Sequence, residues 1–283
     1  RKQAIAAFNI YNMEGAKAVV EAAEELKRPI MIQVHPVSFQ YGGIPFLSYL
    51  SALKASAKVP IYLHFDHFQN EKEIEQVLEA VVKHSLSKSL SFDSIMIDGS
   101  SLAFDENLIF TKKWATAAHD AGLFVEAELG KLAGEEDGLS VDLKEMKMTD
   151  PLTVNHYIEE TNIDLLAVTI GNVHGKYYHP PNLDFNRLDQ INQQLEKLTK
   201  SKRPSLVLHG ASGLSSDLIK RSIEAGIVKF NVNTDLRNAA LNYLRNQLNE
   251  KQQNKVEILS LMKGSTNIMK EVAKSKIILF QNE

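Results

Sequence analysis

The sequence predicts a (β/α)8 barrel, the TIM-barrel class of α/β fold, from two observations. Eight short apolar runs recur along the chain, and each leads into a longer stretch with helical periodicity. The runs are continuously apolar instead of strictly alternating, as in parallel strands buried on both faces. Strand and helix repeated eight times in about 240 residues has the length and rhythm of such a barrel.

In chain order the strands are expected at 5–10 (IAAFNI), 29–34 (PIMIQV), 61–66 (IYLHFD), 94–99 (SIMIDG), 124–129 (FVEAEL), 165–170 (LLAVTI), 205–210 (SLVLHG) and 228–233 (VKFNVN). Between the first two, MEGAKAVVEAAEELK places Ala18, Ala22 and Leu26 along one helical stripe. Between the last two, SSDLIKRSIEAG opens on a serine suited to cap a helix and stops at Gly226. No linker rich in Pro, Gly or Ser divides the chain, so residues 1–283 are expected to form one domain. An open doubly wound sheet would want a glycine-rich fingerprint after the first strand, and FNIYNMEG has none.

Composition narrows the function. There are no cysteines, which excludes thiol nucleophiles and thiolate metal sites, so any transition metal must be held by His, Asp or Glu. A net charge of −3 without a dense basic block leaves no electrostatic footprint for nucleic acid or an anionic membrane. No apolar run approaches the ~18 residues of a membrane span and no secretory signal is evident. A soluble cytoplasmic protein is expected. The chain opens on Arg1 instead of Met, so a short preceding piece is also expected.

Barrel chemistry sits at the C-terminal ends of the strands. There the first strand carries Asn9, the third His64, Asp66 and His67, and the fourth Asp98. The fifth carries Glu126 and Glu128, GNVHG after the sixth carries His174, the seventh ends at His209, and the eighth holds Lys229, Asn231 and Asn233. The stretch YLHFDHF alone does not separate a satisfied core corner from one side of a metal site. Three separate strands delivering His67, His174 and His209 to one mouth do, because three imidazoles with an open fourth position make a catalytic zinc site. His84, His119 and His156 fall within helical patterns and are expected to be surface or satisfied histidines.

LVLHGASGLSSD and KFNVNTDLRNA each pass from a strand through a small polar loop into a helix. Free backbone N–H groups and the helix N-terminus favour an anion there, and barrels often bind phosphate after strands 7 and 8. A phosphorylated small molecule is therefore the expected substrate. LGKLAGEEDG (129–138) reads either as a solvated turn or as a flap bringing a carboxylate over bound substrate.

Taken together, LHFDH, IDGS, EAELG…GEEDG, GNVHG, LHGASG and NVNT resemble, in order and over nearly the whole chain, the class II metal-dependent ketose-bisphosphate aldolases. That family contains the fructose-1,6-bisphosphate and tagatose-1,6-bisphosphate enzymes. The resemblance implies His67, His174 and His209 as zinc ligands, with Asp98 and Glu128 at a second or alternative metal position. It implies Asp66 as the acid/base for the substrate hydroxyl that becomes the aldehyde. Glu136 becomes the flap residue that moves the proton on the dihydroxyacetone phosphate carbon. Asn9, Gly175, Gly210, Ser212 and the run Asn231, Val232, Asn233 and Thr234 become substrate and phosphate contacts, with a monovalent cation near Gly175. His64 is then structural. A homo-oligomer, dimer or tetramer, is also implied.

Two departures stand out. His35 falls where family members commonly have Ser, so the substrate or aldehyde partner is expected to differ in fit. VVKHSLSKSLSFDS is longer than the usual connection before MIDGS, on the face opposite the chemistry. Lys229 points inward by strand alternation, which leaves a Schiff-base aldolase as an alternative, and a catalytically silent barrel is another.

Overall fold

The computed structural model describes residues 2–85, 89–136, 139–175, 177, 180–250 and 257–281. In chain order the elements are β1 (Ile5–Asn9), α1 (Met13–Leu26), β2 (Ile30–Val34), α2 (Pro36–Ser56), β3 (Ile61–Phe68), α3 (Glu71–Ser85), β4 (Ser94–Ile97), α4 (Phe104–Asp120) and β5 (Phe124–Leu129). There follow β6 (Ala133–Glu136), β7 (Leu139–Val141), α5 (Val154–Thr161), β8 (Leu165–Val168), β9 (Val173–His174), α6 (Phe185–Lys197) and β10 (Ser205–Leu208). The chain ends with α7 (Ser216–Glu224), β11 (Ile227–Val232), α8 (Thr234–Glu250) and α9 (Ile258–Phe280).

Strands β1, β2, β3, β4, β5, β8, β10 and β11 close into a parallel barrel, with β11 pairing back onto β1. The fold class is the expected (β/α)8 barrel, and each expected strand is present with ends moved by a residue or two. Alternation divides the side chains cleanly. Phe8, Ile32, Leu63, Ile95, Val125, Leu166, Leu208 and Phe230 belong to the apolar core between strands and helices. Their sequence neighbours Gln33, His64, Glu126 and Lys229 are also fully or almost fully buried, and strand alternation turns them into the barrel.

The helices follow from local chemistry. In α1, Asn12 caps the first turn by accepting from the Gly15 N–H, and Ala18, Val19, Ala22 and Ala23 are buried. Small alanines allow α1 to lie close against α9, which also packs on α8. In α7, Ser215 accepts from the Leu218 N–H, as the serine signal predicts. The α2 helix kinks at Gly43, with a φ of 56°, followed by Pro45.

At the barrel face remote from the site, partly buried carboxylates tie strand starts together. Asp93 accepts from the Leu63 N–H and pairs with Lys54 at 2.7 Å. Asp164 accepts from the Val125 N–H and bonds His119 at 2.9 Å. His119 is thus satisfied and structural, as expected, and His84 bonds Ser89. Residues 86–88, part of the long connection, lie outside the described residues.

The loop after β5 is not a plain turn, because its described part includes a strand. LGKLAGEEDG contains β6, which pairs antiparallel with β7 and parallel with β9. The described part of the segment thus joins a small sheet with the chain that carries His174, while residues 137 and 138 lie outside the described residues. Among the described residues, no helix is long and apolar enough to cross a membrane.

Candidate active site and metal centre

The site is organised by β3. Strict alternation would send Asp66 inward and His67 outward, but the chain avoids this. The β3–β4 register shifts between Phe65 and Phe68, so three steps along β3 match two along β4. His67 at this bulge adopts a left-handed φ of 54°, unusual for a residue with a side chain. Phe65 and Phe68 consequently share the outer core, and Asp66 and His67 both turn inward.

His67, His174 and His209 converge. One ring nitrogen from each lies within 4.8 Å of the others. Ring centres are 5.0 Å apart for His67 and His174, and 4.7 Å for His67 and His209. Two rings are oriented by carboxylates. His67 Nδ1 bonds Asp98 Oδ2 at 2.9 Å, and His209 Nε2 bonds Glu126 Oε1 at 2.8 Å. Each carboxylate engages one ring nitrogen and leaves the other turned toward the centre. His67 Nε2 and His209 Nδ1 are buried and make no hydrogen bond. Leaving buried polar atoms unmet is costly, and these two face a third imidazole, so the residues fit a transition-metal ion. His67, Asp98 and Glu128 form a second group able to hold one.

Asp66 lies beside these rings, almost fully buried. Its Oδ2 accepts from Asn9 Nδ2 at 2.7 Å and its Oδ1 from Asn231 Nδ2 at 3.2 Å. Burial raises its pKa, but His67, Lys229, His64 and His209 together outweigh that and hold the carboxyl well below the usual range. Glu128 shows the opposite balance, raised by burial and by Asp98 beside it. Burial lowers His64 to about 3, so it is a neutral ring bonded to Ser94 Oγ at 2.7 Å. Burial also lowers His209 and His174, keeping both imidazoles neutral and able to donate a lone pair.

Lys229 is fully buried, 2.8 Å from Glu126 Oε2 and 2.8 Å from Asn231 Oδ1. Its charge supports Glu126, and Asn231 is shared between Lys229 and Asp66. Asn9 and Asn231, expected among substrate contacts, thus spend their amide N–H groups on Asp66. Gly210 and Ser212 sit at the loop into α7, and Ser212 Oγ accepts from the Asp235 N–H at the start of α8. Thr234 opens α8, Asn233 accepts from Tyr11 OH at 2.6 Å, and the Val232 side chain belongs to the apolar core. Gly175 follows His174 with a φ of 77°. Backbone N–H groups and the α8 N-terminus here suit an anion. Glu136 ends β6, and its side chain lies outside the described residues. A cavity of about 200 Å³ opens beside His67 and His174, lined also by Asp98, Glu128, Lys131 and Gly134.

Sequence reading missed several supports. Glu126 as the partner of His209 and Lys229 was signalled only by its place two residues before Glu128. Gln33 lies in register between Asn9 and His64, fully buried, with neither amide atom hydrogen bonded. Its signal was one polar residue inside an apolar strand. His35 caps α2 by accepting from the Val37 N–H, its ring centre 6.4 Å from His67.

A barrel whose mouth gathers paired carboxylates and three convergent imidazoles able to hold a metal ion has the layout of a barrel enzyme's active site. The sequence profile of the family described as fructose-bisphosphate aldolase class-II matches residues 1–283, and this chain belongs to that family, whose members are lyases. It is similar to a crystal structure solved as a candidate fructose-1,6-bisphosphate aldolase from Coccidioides immitis, with 32% identity and a TM-score of 0.88. That match covers 99% of this chain and 92% of the other. It is also similar to the YdjI aldolase of Escherichia coli K12, with 31% identity, a TM-score of 0.77, and coverage of 98% and 91%. A fructose-bisphosphate aldolase from Campylobacter jejuni shares the fold at 22% identity and a TM-score of 0.83, over 98% of this chain and 90% of that one.

Proposed function

We propose that the protein cleaves a ketose 1,6-bisphosphate of the fructose or tagatose type, reversibly, to dihydroxyacetone phosphate and glyceraldehyde 3-phosphate. The observation that carries this reading is Asp66, a carboxylate held ionised and braced by two amides beside three convergent imidazoles. His67, His174 and His209 would hold zinc, with Asp98 and Glu128 at a second or alternative position. Bound there, zinc supplies Lewis-acid stabilisation of the charge that builds on the substrate carbonyl oxygen.

The remaining work belongs to the chain. Asn9 and Asn231 orient Asp66, which takes the proton from the substrate hydroxyl as the carbon–carbon bond breaks and the aldehyde forms. The bond's electron pair stays on the ketone fragment. Glu136 then delivers a proton to that carbon, releasing dihydroxyacetone phosphate. Gly175, Gly210, Ser212 and Asn231 to Thr234 hold phosphate so that the reacting carbons meet Asp66, near a monovalent cation by Gly175. The reading extends to one domain over residues 1–283 and a cytoplasmic homo-oligomer, dimer or tetramer. Exposed Leu241, Leu248, Ile258 and Leu259 on α8 and α9 support self-association.

A second reading is the same cleavage with another phosphorylated ketose or aldehyde partner, favoured by His35 buried beside His67. A Schiff-base mechanism is disfavoured, since the Lys229 amine is engaged by Glu126 and Asn231, each at 2.8 Å, and it would leave the three convergent histidines without a role. A catalytically silent barrel leaves the bracing of Asp66 without purpose. The test is a panel of ketose phosphates offered to zinc-loaded protein and to Asp66→Asn. Bisphosphate cleavage, at least ~100-fold slower in the variant, is expected. Release of dihydroxyacetone phosphate with a different aldehyde moves the protein to the second reading. No cleavage of any ketose phosphate sinks both.

A further inference from the structure

The two residues of β9 lie between two glycines that come from different parts of the fold. On one side Gly134 of β6 pairs with His174, at a φ of 110°. A Cβ on Gly134 would lie 2.1 Å from the His174 carbonyl oxygen. On the other side Gly210, at a φ of 67°, approaches so closely that a Cβ would lie 1.9 Å from the Val173 carbonyl oxygen. Only glycine permits either approach.

Two side chains then stitch β9 to the β10 end. Asn172 is fully buried, and its amide donates to the His209 carbonyl at 3.1 Å, while its Oδ1 accepts from the Ile170 N–H. Tyr177 donates its hydroxyl to the Gly210 carbonyl at 3.0 Å and accepts from the Val173 N–H at 3.2 Å. Its ring passes over Gly213, where a Cβ would stand 3.2 Å from Cδ2. Burial pushes the phenol up to about 12, so it remains a donor across the working pH range. The rings of His174 and His209 come out nearly parallel, 5.8 Å apart and inclined by 23°.

We infer that Asn172 and Tyr177 are positioning residues that lock the His174 strand to the Gly210–Ser212 loop, so that metal binding and phosphate binding strengthen one another. The inference rests on the proposed reading of these histidines as metal ligands and of this loop as a phosphate contact. The physical reason is shared ordering. Either ligand must fix the same short backbone, so the second to arrive meets less disorder and binds more tightly. Such coupling is reciprocal.

Zinc affinity is measured by competition with a chromophoric chelator, with and without glycerol 3-phosphate, which carries phosphate but no ketone. In the wild type, saturating glycerol 3-phosphate should tighten zinc by at least ~5-fold, the low end of measured couplings. Tyr177→Phe should keep its fold by circular dichroism, bind zinc ~10-fold more weakly, and lose most of the phosphate effect. Zinc binding with wild-type affinity and coupling in Tyr177→Phe overturns the inference. If that variant does not fold, amide exchange in the wild type decides. Glycerol 3-phosphate without zinc should slow exchange at the Val173 N–H, and unchanged exchange refutes the lock. Zinc that binds but ignores the phosphate sinks this inference alone. Absence of zinc binding sinks the metal reading together with it.

Discussion

Asp66 and His67 are consecutive in the chain, yet both side chains turn into the barrel. Asp66 accepts from Asn9 and Asn231 there, while His67 stands 4.7 Å from His209, ring centre to ring centre. Ordinary strand geometry forbids this for neighbours, because successive side chains point to opposite faces. The bulge between Phe65 and Phe68 and the left-handed backbone of His67 make it possible. The proposed proton-transfer group and a metal-ligand candidate thereby share one strand.

Asp98 orients the His67 ring through its Nδ1 contact, so Asp98→Asn should weaken zinc binding ~10–100-fold without unfolding the barrel. Chelator competition measures it. Unchanged zinc affinity would mean that the 2.9 Å contact does not orient the ring.

Glu126 and Lys229 are a fully buried pair. Glu126→Gln keeps an acceptor for His209 but leaves the ammonium uncompensated, and should destabilise the protein by about 3–5 kcal/mol in urea unfolding. Adding Lys229→Met should recover most of that loss. If the double variant is no more stable than Glu126→Gln, the pair is not what holds this part of the barrel together.

Gln33 carries an unpaired amide in the row between Asn9 and His64. Replacing an unmet polar group by an apolar one of similar shape relieves its desolvation cost. Gln33→Leu should therefore raise stability, by about 1–2 kcal/mol, while raising KM for the sugar phosphate. A loss of stability with unaltered kinetics would show a structural role instead.

His64 links stability to acid. Its folded pKa of about 3 lies below the ~6.5 of an unfolded histidine, so the unfolded chain binds the proton more readily between them. Stability from this neutral ring is complete above pH ~6.5 and falls as pH drops toward 3, by up to about 4–5 kcal/mol. His64→Asn, which retains a partner for Ser94, should flatten that limb of the stability profile. A limb as steep as the wild type's would assign acid sensitivity to other groups.

Much was already legible in the residues. Eight apolar runs determine the barrel because a strand covered by helices on one side and packed barrel on the other has no polar face to show. The rim position of His67, His174 and His209 follows from those runs, since the strand end is where a polar residue can reach the mouth. Tertiary structure alone decided the rest. The bulge depends on how β3 registers against β4, which local propensity does not encode. The glycine approaches of Gly134 and Gly210 to β9 join segments far apart in the chain. The partners of Asp66 and His209 are chosen in the same way, because Asn231 and Glu126 reach them only when the barrel closes and brings side chains from separate strands within hydrogen-bond distance.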